Sequence, residues 1–279
     1  MTDGTGGCSF LAGTIQSCMT QVLGNASQIR AGSVDEELVH QLRTGLVDLR
    51  TVLNDLGADR FGADPAWLPV LRGASLELGA HRDREVVLPS VLAELFKRGC
   101  LPLQHAALAP ACRAPSEVVR DPSLQQTFLS ILAFLRGPLD PSEANSLDRS
   151  DARSLVARRL DRLHRAVARD VKRFRKLEPA RQHLVRKRLS RLLFIGSAAR
   201  TLFEPRNVER YLACATKARD LLGKGHDLYT TAQALRSGAI QGPGARFAEG
   251  WISKSRRTSA KRCQRALRKA MNQTVFWKQ

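Results

Sequence analysis

One pattern of residues occurs twice in this chain, about 143 positions apart. His-Gln-Leu-Arg at residues 40–43 returns as His-Leu-Val-Arg at residues 183–186, and the two leucines that follow return at the same spacing. Further along, Leu-Gly-Ala-His-Arg-Asp at residues 78–83 is echoed by Leu-Gly-Lys-Gly-His-Asp at residues 222–227. Chance would have to match both signatures and the gap between them, so the pattern indicates an internal duplication. We therefore expect two similar halves, at about residues 9–135 and 150–279.

The composition favours helices in both halves. The chain has 279 residues, 43% of them hydrophobic and only 5% aromatic, and it is rich in leucine, alanine and arginine. These residues are good helix formers, whereas β-sheets favour aromatic and β-branched residues. We expect an all-α protein with enough apolar residues for a sizeable core.

Apolar residues recur at helical spacing along most of the chain, and short turns between the segments are typical of antiparallel bundles. The predicted helices are Phe10–Ile29, 33–56, Trp67–Leu78, Val86–Lys97, Leu124–Leu135, Asp151–Leu177, 179–203, Arg206–Leu222, Asp227–Leu235 and Phe247–Met271. Ser33 with Glu36 predicts a capping box at the start of the second helix. Gly79 and Gly223 predict left-handed helix ends, each followed by an aspartate that caps the next helix or pairs with an arginine. A long connector is expected at residues 99–122.

Positive charge is concentrated in two segments. The chain has a formal net charge of +19, and residues 149–191 carry 16 Lys and Arg against 4 acidic residues. Residues 244–279 carry 10 against 1. Such segregation indicates a polyanionic partner. Nucleic acid, inorganic polyphosphate and an anionic membrane surface all remain open.

The sequence contains no signal for export, membrane insertion or catalysis. Its six cysteines form no C-x-x-C pair, which predicts reduced, mostly packed thiols. The uncharged stretch at residues 4–29 is too polar to span a bilayer and lacks a basic leader. No Walker loop or Ser/His/Asp order is present. We expect a soluble cytoplasmic chain of bacterial type that is not an enzyme and has no catalytic residues, metal or cofactor.

Each repeated histidine lies at the border of an apolar stripe, together with basic residues one to three turns further on. These residues are Arg43 and Arg50 after His40, and Arg186, Lys187 and Arg191 after His183. A partly buried histidine held by a neighbouring carboxylate or carbonyl is one interpretation. Because both copies also present an arginine, we favour the other interpretation, a groove that binds an anion.

The paired His-x-x-Arg helices, the Leu-Gly-x-x-Arg-Asp segment with its echo, the arginine-rich region at 155–192 and the terminal Phe276-Trp277 together resemble the CHAD family, the conserved histidine α-helical domain. The resemblance covers residues 10–277. It implies one domain at residues 9–279 after a flexible N terminus at residues 1–8. It also implies two four-helix bundles related by a pseudo-twofold axis around a central basic channel that binds inorganic polyphosphate, with possible association with intracellular granules.

The resemblance also implies a set of ligand-binding residues. With Arg82 from the second signature and Lys217 added, the candidate polyphosphate-binding residues are His40, Arg43, Arg50, Arg82, His183, Arg186, Lys187, Arg191 and Lys217. This chain departs from the family at Val47, Asp48 and Leu193, where basic residues are usual. Two alternatives stay open: a nucleic-acid-binding helical protein, and a scaffold that docks on granules or anionic surfaces through the basic residues Lys254, Arg257, Lys261, Arg265 and Arg268.

Overall fold

The computed structural model describes residues 7–33, 35–105, 113–137 and 149–278, and these residues form helices almost throughout. The helices are α1 (Gly7–Arg30), α2 (Glu36–Asp55), α3 (Trp67–Arg82), α4 (Leu88–Lys97), α5 (Pro115–Val119), α6 (Pro122–Arg136), α7 (Arg149–Val171), α8 (Pro179–Ala198), α9 (Pro205–Arg236) and α10 (Ala245–Met271). The strands are β1 (Gln104–His105) and β2 (Ile240–Gln241). The all-α class is confirmed.

Most helices begin and end close to the positions that apolar spacing predicts. The second helix differs at its start, where Asp35 and not Ser33 caps it by accepting a hydrogen bond of 2.8 Å from the Glu37 backbone N–H. Glu36 and Glu37 follow in the first turn, where acidic side chains suit the positive end of the helix dipole. The first helix begins at Gly7, and residues 1–6 lie outside the described part of the chain.

The predicted breaks at Gly79 and Gly223 are wrong. Helix α3 continues through Gly79 to Arg82 and passes through a π-helical turn at Asp83–Val87 directly into α4. Helix α9 runs through Gly223 without interruption, and neither glycine has a positive φ. A glycine inside a helix costs only about 1 kcal/mol relative to alanine, which packing of these long helices readily offsets. Consequently, Asp83 and Asp227 lie within continuous helical segments and are not helix caps.

The helices pack in the same order in both halves. Helix α2 lies between α1 and α3 in the first half, and α8 lies between α7 and α9 in the second, where α10 packs along α9. Contacts of α1 with α7, of α2 with α8 and of α4 with α9 join the halves. One continuous apolar core runs from α1 to the C-terminal turn at Phe276–Lys278. The division into two separate bundles with a pseudo-twofold axis stays a prediction.

A two-residue strand pair ties the connector after α4 to the loop between α9 and α10. Gln104 pairs with Gln241 and His105 with Ile240, antiparallel. Gly242 follows with φ +138°, and a Cβ there would lie 2.6 Å from the carbonyl oxygen of Pro102, so only glycine fits. The connector predicted at residues 99–122 includes residues 106–112, which lie outside the described residues, as do residues 138–148 between α6 and α7.

None of the helices within the described ranges is both long and apolar enough to cross a membrane. The cysteines whose side chains are described, Cys18, Cys100, Cys214 and Cys263, are free thiols. Three of these are buried, and burial raises the pKa of Cys18 to about 12, which makes it an unreactive packing residue.

Candidate functional site

The two copies of the His-x-x-Arg pattern face each other across the contact between α2 and α8. In both helices the leucines at repeated spacing are buried in the core. His40 and Arg43, and in the second copy His183 and Arg186, are half-buried beside these leucines. The helical period thus places each histidine and arginine on the edge of the apolar stripe, as the spacing along the sequence predicts, and the fold brings the two edges together.

Arg82 on α3 and His226 on α9 complete this group, 144 positions apart in the second signature. Arg82 is close enough to lower the pKa of Arg43 and of Arg186. The His226 ring lies 4.6 Å from the His183 ring, centre to centre, with an angle of 31° between the planes. We call the following residues the central basic cluster: His40, Arg43, Arg82, His183, Arg186, Lys187 and His226.

A close approach between helices positions Arg43. A Cβ on Gly79 would lie 3.0 Å from Arg43 Nε, so the arginine stem lies against the backbone of α3 where a side chain is missing. At the equivalent Gly223, no atom of the described residues lies within 4 Å of such a Cβ. Gly79 therefore makes room for a ligand-binding candidate, whereas Gly223 does not.

Several buried nitrogens of this cluster have no hydrogen-bond partner among the described residues. They are His40 Nδ1, Arg43 Nε, His183 Nδ1 and Arg186 Nε, so the same two atoms are unpaired in both copies. No described carboxylate forms a salt bridge with Arg43, Arg82 or Arg186. Asp83 is nevertheless near enough to raise the pKa of Arg43 and of Arg186, and Asp227 raises that of Arg186. Buried polar atoms without partners are costly, so these nitrogens are candidates for contact with acceptor atoms from outside the chain.

Burial and mutual repulsion both act on the groups in the cluster. Burial lowers the pKa of Arg43 and of Arg186, and Arg186 lowers that of Arg43 further. Burial also lowers the pKa of His183 and of His226 to about 4, an effect that nearby cations reinforce. His40 is shifted in the same direction by burial and by Arg82. In the free chain these imidazoles are therefore neutral at pH 7, and four fixed cations remain.

Comparison with known proteins decides the family. The CHAD domain family model matches residues 13–236, which is most of the chain. This chain belongs to the CHAD family. A crystal structure of the CHAD domain from the plant Ricinus communis is similar in fold, with a TM-score of 0.75 and 19% sequence identity over 96% of this chain and 93% of that one. No curated protein sequence matches the chain.

A second group of basic residues extends the central basic cluster towards the C-terminal ends of α2 and α8. Arg50, Arg72 and Arg191 line a cavity of about 480 Å³ between these helices and α3. Lys187 connects the two groups, because Arg50 and Arg72 lower its pKa in addition to burial, and so does Arg43. Arg191 is partly neutralised, since its Nη1 lies 3.8 Å from Oδ2 of the buried Asp55, which also pairs with Arg159.

The structure places one of the predicted ligand-binding residues, Lys217, away from the central basic cluster. Lys217 is exposed on α9, nine residues before His226 and thus on the opposite side of that helix. Arg219, two turns before His226, is the basic residue of α9 that lowers the pKa of Arg186. The helical period counted back from His226 would have found Arg219, but the sequence offered no comparable signal for Arg72.

The three departures from the family pattern occupy different environments. Leu193 is buried in the core, and Val47 is half-buried on α2. Burial raises the pKa of Asp48 to about 7, with Arg219 opposing the shift. This CHAD domain therefore carries a carboxyl group on α2 that holds a proton more readily than an ordinary aspartate does.

The basic residues proposed for surface docking form an exposed set on α10. Lys254, Arg257, Lys261, Arg265 and Arg268 are all exposed. They belong to the outer face of the CHAD domain, while the buried face of α10 packs on α9.

Proposed function

We propose that this CHAD domain binds inorganic polyphosphate through the central basic cluster, as a binding module without catalytic activity. The observation that carries the proposal is the convergence of buried arginine and histidine nitrogens from both copies of the repeat, none of which has a hydrogen-bond partner within the described ranges. A chain of phosphates supplies acceptor oxygens for all of them. The planar guanidinium fork can contact two phosphate oxygens at once, and such charge-assisted hydrogen bonds are strong.

The layout of the basic residues suits an elongated ligand. From His40 to Arg50 helix α2 rises about 15 Å, and basic groups of α2, α3 and α8 accompany it over this length. A compact anion would satisfy only one end of this row. A polyphosphate chain carries roughly one negative charge per unit, so it can neutralise successive residues and release bound counterions.

Nucleic acid is the less favoured ligand. Binding of single strands usually relies on exposed aromatic rings on which bases stack. In this chain Trp67, Trp277 and Tyr211 are buried, and Trp251 and Tyr229 are half-buried. Phe96 and Phe247 are exposed, but neither lines the cavities beside the basic residues. A competition assay separates the two: we expect long-chain polyphosphate to displace short DNA or RNA at equal phosphate concentration and physiological salt. Displacement in the opposite direction would favour the nucleic-acid function.

The decisive experiment compares two double variants with the same loss of charge. Arg43→Gln/Arg186→Gln should weaken polyphosphate binding by at least about a hundredfold, because each charge-assisted hydrogen bond is worth roughly 1.5–3 kcal/mol. Arg206→Gln/Arg246→Gln, with two exposed arginines, should have little effect. Equal losses in both variants would refute a specific site. Incubation of polyphosphate with the chain and magnesium or manganese should release no phosphate.

The exposed face of α10 supports a second, weaker candidate, docking on an anionic surface such as a polyphosphate granule. Substitution of Lys254, Lys261 and Arg265 by glutamine should then reduce sedimentation with vesicles that contain an anionic lipid, while the affinity of the central basic cluster for soluble polyphosphate stays unchanged. Unchanged sedimentation would remove this candidate.

A further inference from the structure

A cavity of about 300 Å³ adjoins the central basic cluster on the side of the second half. It lies between α8, α9, α10 and the 3-10 turn at Phe174–Lys176. His183, Arg186 and His226 belong to its lining, so the cavity opens onto the cluster. Small-molecule sites in proteins start at about this volume, which is sufficient for one nucleoside-sized group.

All the charged residues that line this cavity are basic. Besides the three cluster residues, the cavity is lined by Arg175, Arg256 and Arg257, and none of its lining residues is acidic. Hydroxyl groups of Ser253 and Ser259 also line it. The cavity therefore favours an anionic ligand with further polar groups.

Part of the cavity lining has no groups that bind a bare phosphate chain. Phe174, Leu222 and Ala260 contribute apolar surface. Flat π groups follow each other along α9: the His226 ring lies 6.3 Å from the Tyr229 ring with an angle of 22° between the planes. The Arg256 guanidinium lies over the Tyr229 ring at 5.3 Å from its centre. Apolar and π surfaces of this kind suit a planar heteroaromatic ring.

We infer that this cavity binds the base and sugar of a nucleoside polyphosphate, whose phosphates extend to Arg186 and the central basic cluster. This inference rests on the proposed anion-binding function of the cluster. It adds a ligand class, because the ring would be recognised by Tyr229 and Arg256, which take no part in the binding of a bare polyphosphate chain. His183 Nδ1 and Arg186 Nε, which are buried and unpaired, are the cluster atoms that both ligands would share.

Calorimetry with the full chain tests the inference by comparing ATP with tripolyphosphate, which has the same number of phosphates and no ring. We expect the ring to strengthen binding by roughly tenfold, the size of one base–aromatic stack. Tyr229→Leu should abolish this advantage while leaving the tripolyphosphate affinity unchanged, which also shows that the variant is folded. Tyr229→Phe should keep it, and Arg256→Gln should reduce it. Arg246→Gln, an exposed residue of α10 outside the cavity, is the matched control.

The possible outcomes separate the two hypotheses. If tripolyphosphate binds as tightly as ATP, or if Tyr229→Leu leaves the ratio of the two affinities unchanged, the cavity is not a ring site. Absence of binding by both ligands would overturn the inference as well. If the ratio behaves as expected but long-chain polyphosphate binds no better than DNA, the nucleotide site stands and the polyphosphate function fails.

Discussion

Gly79 and Gly223 occupy equivalent positions in the two copies, and their replacement by alanine separates stability from ligand binding. Both lie inside helices, where alanine is favoured over glycine by about 1 kcal/mol. At Gly223 a Cβ would have no neighbour within 4 Å in the described part of the chain. Gly223→Ala should therefore raise the free energy of unfolding by about 1 kcal/mol, which corresponds to about 2–4 °C in Tm for a chain of roughly this size.

At Gly79 the added methyl group collides with a ligand-binding candidate. Its Cβ would lie 3.0 Å from Arg43 Nε, which is tighter than ordinary van der Waals contact, so the arginine stem must move by a few tenths of an ångström. The side chain is flexible, and we expect Gly79→Ala to remain at least as stable as the unmodified chain. The guanidinium, however, loses its position, and one misplaced charge-assisted hydrogen bond weakens polyphosphate binding by about tenfold.

Thermal unfolding and calorimetry on the same two variants check both parts. The expected result is that both variants are as stable as or more stable than the parent, and that only Gly79→Ala binds polyphosphate more weakly. A similar loss of affinity in Gly223→Ala would refute the reasoning. So would unchanged affinity in Gly79→Ala, because Arg43 would then not depend on its contact with α3.

Three further predictions follow from charge and burial. Acidification from pH 7.5 to 5.5 should tighten polyphosphate binding by about tenfold. Burial lowers the pKa of His183 and of His226 to about 4, and a bound polyanion returns the pKa towards its ordinary value, so that binding takes up a proton. In calorimetry, His183→Gln/His226→Gln should bind with little pH dependence. The slope of log affinity against log salt concentration should fall by about 1 in Arg186→Gln and stay constant in Arg206→Gln. Burial raises the pKa of Asp48 to about 7, so its ionisation destabilises the folded chain progressively as the pH rises from about 4 to about 7. Asp48→Asn should therefore raise the free energy of unfolding in urea titrations by up to roughly 4 kcal/mol at pH 8 and by little at pH 4. Equal gains at both pH values would contradict this.

Sequence periodicity predicted most helices and the positions of several residues of the candidate site. Arg43 and Arg186 could be found because their spacing from a histidine and from buried leucines repeats, and a wheel gives their direction. Sequence periodicity failed at Gly79 and Gly223, where a local pattern typical of a helix end competes with the packing of a long helix. Leu-Gly followed by a polar stretch is typical of a helix end, yet α3 and α9 continue through it because their long apolar faces pack on both sides.

The remaining site residues depend on tertiary structure. His226 lies beside His183 only because α9 packs on α8, 43 positions further along the chain. Arg72 joins Arg50 for the same kind of reason, through the contact of α3 with α2. A helical wheel describes one helix, so it cannot show which residues of the next helix complete a site.

The distribution of charge along the chain also differs from the distribution at the site. Residues 149–191 carry most of the excess positive charge, which predicts that the second half dominates ligand binding. Several of these arginines are instead neutralised in ion pairs: Arg159 and Arg191 with Asp55, Arg165 with Asp161, and Arg181 and Arg188 with Asp170. The unpaired cations of the central basic cluster come equally from the two halves, Arg43 and Arg82 from the first and Arg186 and Lys187 from the second. We therefore expect Arg43→Gln and Arg186→Gln to weaken polyphosphate binding to similar extents. A much larger effect of Arg186→Gln would mean that the field of the whole basic segment, and not the local cluster, determines affinity.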